Sequence, residues 1–157
     1  MNSNYKIALL IDCDNVSHQS IEGVLQELAK YGAVNVRHAH GNWNGTQLGG
    51  WIEKLHANAI RPVQQFAYTT GKNATDASMI IDAMDILYGG AVNALCLVSS
   101  DSDYTRLATR IREKGMFVLG IGRKTTPRAF VNACDVFIYT ENLAPQPAVK
   151  PADRKSV

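Results

Sequence analysis

The chain has 157 residues, 46% of them hydrophobic and 19% charged, with 16 Lys and Arg against 14 Asp and Glu. That length suits one domain around a single core, and the apolar fraction excludes disordered, collagenous and low-complexity classes. A net charge of +2 makes no general polyanion-binding surface, so nucleic-acid contact would have to come from a local patch.

Residues 6–11 are nearly continuously apolar, as in a strand covered on both faces, and too short for a signal-peptide core or a membrane span. Residues 17–31 carry Ile21, Leu25 and Leu28 at helical spacing, with Gly32 as a stop. A second strand is expected over 33–40, then a short helix over 44–57 with Trp51 and Leu55 on one side. A third strand is expected over 60–68, with Pro62 near its start, where a missing donor is tolerated. The strongest helix spans 75–88 and is closed by Gly89-Gly90. A buried strand over 93–98 follows, then a helix over 103–114 with Leu107, Ala108 and Ile111 inward. A strand over 116–121, a short helix opened by Pro127 and a last strand over 135–139 complete the series. From Asn142 onward there are three prolines and no apolar periodicity, which predicts a single domain over 1–141 and a disordered tail over 142–157. Cys13, Cys96 and Cys134 lie in or beside apolar segments without metal or disulfide spacing, and read as buried free thiols of a cytoplasmic protein.

Strands alternating with helices imply a three-layer α/β/α domain with a mostly parallel, Rossmann-like sheet. All strands then point their C-terminal ends at one rim, where ligands sit. Seven of the nine Asp residues fall in three segments near that rim: Asp12 and Asp14; Asp76, Asp82 and Asp85; Asp101 and Asp103. On a helical wheel Asp76 shares the sheet-facing side with Ile80, Ala83 and Leu87, whereas Asp82 and Asp85 are expected outward. Each segment alone has a structural explanation. Asp14-Asn15 can form a turn, Ser100 and Asp103 fit a capping box, and Asp76 suits a helix N-terminus. Gathered on one rim they are different, because two carboxylates about 4 Å apart repel by about 4 kcal/mol at an effective dielectric near 20. A hard divalent ion with oxygen ligands, Mg²⁺ or Mn²⁺, relieves that repulsion. His40, Trp43, Lys72, Arg123, Lys124 and Arg128 are expected around the same rim, where cations would hold a phosphate backbone and a ring would stack on a base.

Three segments together resemble the NYN domain, in the LabA-like branch of the PIN-like nuclease superfamily. They are Ile11 to Val16, Lys72 to Asp76 running into Ile81-Asp82, and Val98 to Tyr104 with Gly115 to Ile121. The resemblance implies a PIN-like fold and a metal-dependent ribonuclease. It puts the catalytic, metal-binding acids at Asp12, Asp76, Asp101 and Asp103, with Asn15 as companion to Asp12. Asp82 matches a further acidic position, and Asp14 would bind the ion through water or shape the loop. Asn15 with Ser99 or Ser100 would orient water or phosphate. The expected partner is RNA, single-stranded or structured, with a homodimer left open and no membrane.

Two other readings stand beside this one. A non-catalytic module could bind RNA or a protein through the same rim. Alternatively, Asp12-Cys13-Asp14 resembles the nucleophile and acid pair of haloacid-dehalogenase-type phosphatases, though Asn15-Val16 replaces the usual small turn. A dinucleotide cofactor is disfavoured, since no Gly-x-Gly-x-x-Gly follows the first strand.

Overall fold

The computed structural model describes residues 4–64 and 74–143, without the side chains at 74–76. The elements in chain order are β1 (Tyr5–Asp12), α1 (Ile21–Leu28), β2 (Gly32–Gly41), α2 (Gly49–Ala57) and β3 (Arg61–Gln64). Then follow α3 (Ala74–Gly89), β4 (Ala94–Val98), α4 (Thr105–Glu113), β5 (Phe117–Gly122), α5 (Arg128–Ala133) and β6 (Val136–Tyr139). The sheet has the order β3-β2-β1-β4-β5-β6, and all of its pairings are parallel. A three-layer α/β/α domain results.

Alternation along β1 divides the core. Ile7, Leu9 and Ile11 pack with Val24 and Leu28 of α1 and Trp51 and Leu55 of α2. Ala8 and Leu10 face the other way, toward Met79 and Ala83 of α3, Leu107 and Ile111 of α4 and Phe130 of α5. Strands buried on both faces need apolar side chains at odd and even positions, which is why β1 and β4 read as unbroken apolar runs. Each such side chain contributes about 1.5–3 kcal/mol on burial. Among the described residues no helix is long and apolar enough to cross a membrane. The three cysteines are buried and free.

Some boundaries differ from those expected. The segment predicted as one helix over 17–31 begins with a 3₁₀ turn at His18–Ser20, where Ser17 Oγ accepts from the Gln19 amide, before α1 proper. Ser and Asn compete with helical hydrogen bonds in this way. The helix predicted from 44 starts at Gly49, after a loop holding Asn44, Gly45 and Thr46. Of the predicted strand over 60–68, residues 65–68 lie outside the described residues, as does the predicted tail from 144 onward. Asn142 and Leu143, placed in the tail by the sequence reading, close a 3₁₀ turn (Thr140–Leu143), and Leu143 packs against the first core.

Candidate functional site

Strands β1 and β4 are neighbours in the sheet although β2 and β3 separate them in sequence, so the strand order reverses between them. The loops leaving their C-terminal ends diverge there and open a crevice. Asp12 is the last residue of β1 and is fully buried at that point. The chain turns at once: the Asn15 amide donates to the Asp12 carbonyl at 3.1 Å. This brings Asn15 Nδ2 to 3.2 and 3.0 Å from the two Asp12 carboxylate oxygens.

Ser99 follows β4 directly and is buried, its amide bonded to Ile121 of β5 at 2.9 Å. Its hydroxyl donates to Asp12 Oδ2 at 3.0 Å and accepts from the Asp101 amide at 3.1 Å. One hydroxyl thus ties the carboxylate of β1 to the loop that carries the next two acids. The Asp101 side chain accepts from the Asp103 amide at 2.9 Å and caps the 3₁₀ turn Ser102–Tyr104. The cap is therefore Asp101, where the sequence suggested Ser100. Ser100 Oγ instead accepts from the Arg123 amide at 2.9 Å and joins the β4 and β5 loops. Asp14, one turn away, accepts from the Asn42 amide at 3.4 Å.

Burial pushes the Asp12 carboxyl up; hydrogen bonds from Asn15 and Ser99 oppose this, and the nearby charges of Asp14 and Asp101 add to it, leaving it raised. Both donors are neutral, and among the described residues no cation pairs with Asp12. A buried carboxylate without a counter-charge is unfavourable, and the Ser99 hydroxyl and the nearby Asp14 and Asp101 carboxylates add further hard oxygen atoms. That donor chemistry fits a hard divalent cation. The rim acids Asp12, Asp14, Asp101 and Asp103 do not gather, among the described residues, into a group of three with ligand atoms within 4.8 Å of one another. The Asp76 side chain and all of Lys72 lie outside the described residues.

Two clefts flank Asn15. One, of 280 Å³, is lined by Asn15, Ser100, Arg123 and Glu141. The other, of 510 Å³, is lined by Asp14, Asn15, His18 and Trp51. Lys124 and Arg128 are exposed beyond the first cleft's β5 loop, and the Lys124 amide donates to Glu141 at 3.0 Å. Trp43 is half-buried, its indole N–H donating to the Val63 and Ala39 carbonyls at 3.1 and 3.3 Å, so the ring is anchored to β2 and β3.

Two residues occupy places the sequence reading did not give them. His40, expected at the rim, is fully buried, with Nδ1 2.6 Å from Ser78 Oγ. Asp82, expected outward, faces the sheet: its Oδ2 lies 2.7 Å from both His38 Nδ1 and His40 Nε2. The inward face of α3 is centred on Met79 and Ala83, and Asp82 flanks both. A wheel centred on Asp76 and Ile80 is rotated away from it. Since Ala39 faces the α1 side, strand alternation sends His38 and His40 to the α3 side. Burial alone would raise the Asp82 carboxyl, but the hydrogen bonds and charge of His38 and His40 hold it well below the ordinary carboxylate range. The sequence signal for this group was the i, i+2 His pair on a strand opposite an Asp three residues after an inward Met.

The sequence matches the NYN domain family over residues 6–141. Among solved structures, the chain is similar to a protein of unknown function from Vibrio parahaemolyticus, with a TM-score of 0.70 and 22% identity over 88% of this chain and 96% of that one. At that identity the likeness concerns the fold. A weaker likeness, TM-score 0.44 and 18% identity over 86% of this chain and 35% of the other, is to the WlbA dehydrogenase from Bordetella pertussis in complex with NADH and UDP-GlcNAcA. No curated protein matches the sequence significantly.

Proposed function

The chain belongs to the NYN domain family, within the PIN-like nuclease superfamily, and from that premise we propose that it is a metal-dependent ribonuclease. Asp12, Asp76, Asp101 and Asp103 would hold Mg²⁺ or Mn²⁺. The observation that carries the reading is Asp12: a fully buried carboxylate at the strand-order reversal, held by neutral donors and tied through Ser99 to the Asp101 loop. When bound, the divalent ion supplies an acidified water and offsets charge building on the phosphate oxygens.

The residues of the chain do the positioning. Asn15 and Ser99 fix the Asp12 carboxylate in one orientation, so that it need not reorganise as charge develops nearby. Ser99 also holds the Asp101 amide, and Asp101 shapes the turn that presents Asp103. Asn15 and Ser100 line the smaller cleft, where they would orient water or a phosphate oxygen. Arg123 lines the same cleft and would hold a backbone phosphate, with Lys72, Lys124 and Arg128 adding weaker, sequence-independent contacts. No histidine, serine or cysteine nucleophile is needed.

The test is incubation of the purified chain with labelled single-stranded RNA and Mn²⁺, with and without a chelator. Scission that stops on chelation supports the proposal. Retention of RNA without scission contradicts it and favours a binding module acting through the same rim.

A further inference from the structure

We propose that His38, His40 and Asp82 form a second cation site, of zinc type, that clamps α3 onto β2. Its ligands differ in kind from the oxygen donors around Asp12, and it does not rest on the nuclease reading. Ring nitrogens of His38 and His40 and a carboxylate oxygen of Asp82 lie within 4.8 Å of one another. Two imidazoles and one carboxylate suit Zn²⁺, whereas Mg²⁺ prefers an all-oxygen octahedral shell.

The arrangement is built as metal-binding histidines are built. His40 Nε2 points at Asp82 while its Nδ1 is held 2.6 Å from Ser78 Oγ, one turn earlier on α3, which fixes the plane of a fully buried ring. Asp82 Oδ2 can only accept, so the His38 and His40 nitrogens 2.7 Å away each present a proton to it in the metal-free chain. A zinc ion would take the place of those two protons, each of which would move to the other nitrogen of its ring, on His40 to Nδ1, where Ser78 Oγ accepts it. Tetrahedral bonds of about 2.0–2.1 Å set ligand atoms roughly 3.3 Å apart, so each ring nitrogen, now 2.7 Å from Asp82 Oδ2, needs to draw back from that oxygen by only about half an ångström. The His38 and Asp82 side chains are 14% and 18% exposed, and Asp82 Oδ1 makes no hydrogen bond among the described residues. That side gives an entry path and an open fourth position.

The experiment titrates Zn²⁺ into the metal-free full chain in the presence of millimolar Mg²⁺, following stoichiometry by calorimetry and stability by thermal unfolding. One Zn²⁺ per chain and a raised Tm are expected, unchanged in Asp12→Asn. His38→Gln removes a ligand from the part-exposed side and should weaken Zn²⁺ binding at least about a hundredfold. Ser78→Ala keeps all three ligands and should weaken it about tenfold or more by freeing the His40 ring, which keeps the test open if His38→Gln fails to fold. Wild-type protein that takes up no Zn²⁺ over Mg²⁺ overturns the proposal. So does wild-type affinity in His38→Gln or Ser78→Ala, or loss of Zn²⁺ uptake in Asp12→Asn.

Discussion

Asp12 keeps an ionisable group where no solvent reaches it, and among the described residues only the neutral Asn15 and Ser99 side chains bond to it. Such a charge lowers the stability of the metal-free fold, since burial, Asp14 and Asp101 all disfavour ionisation. Asp12→Asn is therefore expected to keep or raise the Tm of the metal-free chain. Mn²⁺ should raise the wild-type Tm, by about 2.7 kcal/mol of stability at a hundred times its Kd, and should leave Asp12→Asn unmoved. Thermal unfolding with and without Mn²⁺ checks both. Asp82 has the opposite sign. Its carboxyl is held below the ordinary range of roughly 4, so its stabilising contribution is complete above that range and lost as pH falls through the depressed value. In metal-free protein, Asp82→Asn should cost about 1–3 kcal/mol at neutral pH and flatten the fall in stability below roughly pH 4, as urea titrations across pH would record. The positions of Asp12 and Asp101 on the rim could be read from the sequence because Asp12 closes one apolar run and Asp101 follows another after Ser99 and Ser100. Asp82 could not be placed the same way, because its direction depends on which side of α3 meets the sheet, and Met79 decides that only once the helix is docked.

At the scale of elements, the rim is held together by loops that bond to one another rather than by the strands alone. Ser100 takes the Arg123 amide and Ser99 bonds to Ile121, so the ends of β4 and β5 are fixed as a unit. Gly122 sits inside that unit: an added Cβ would stand 2.6 Å from the Ser99 carbonyl oxygen and 2.8 Å from Thr126 Oγ1. Backbone cannot yield as a side-chain tip can. Gly122→Ala should cost about 1–3 kcal/mol, a Tm loss of roughly 2–10 °C, and shift the Ser99 hydroxyl away from Asp12. Differential scanning calorimetry measures the first effect and Mn²⁺ affinity the second. The order and type of these elements followed from apolar spacing, since buried strands and amphipathic helices differ in period. Helix starts did not, because Ser17, Asn42 and Asp101 offer the backbone local partners whose outcome depends on the loop around them.

For the whole molecule, parallel strands in the order β3-β2-β1-β4-β5-β6 bring residues far apart in sequence to one rim. That convergence could be foreseen in outline, since every strand of a parallel sheet ends on the same side. Which side chains then turn inward could not, and His40 left the rim for the α3 layer while Trp43 was tied to backbone carbonyls. With a net charge of only +2, the proposed RNA contact would be local, and Arg123, which lines the smaller cleft with Ser100, is the cation placed to make it. Arg123→Ala should weaken RNA binding similarly for all sequences and reduce the slope of log affinity against log salt by about 1, which binding isotherms at several salt concentrations would show. In the proposed reaction Asp12 organises metal-dependent cleavage of RNA. That role is tested most directly by the cleavage rate of labelled single-stranded RNA in Mn²⁺ for wild type and Asp12→Asn, both confirmed folded by circular dichroism. A fall of at least about a hundredfold in Asp12→Asn is the predicted result; cleavage at the wild-type rate would contradict the account.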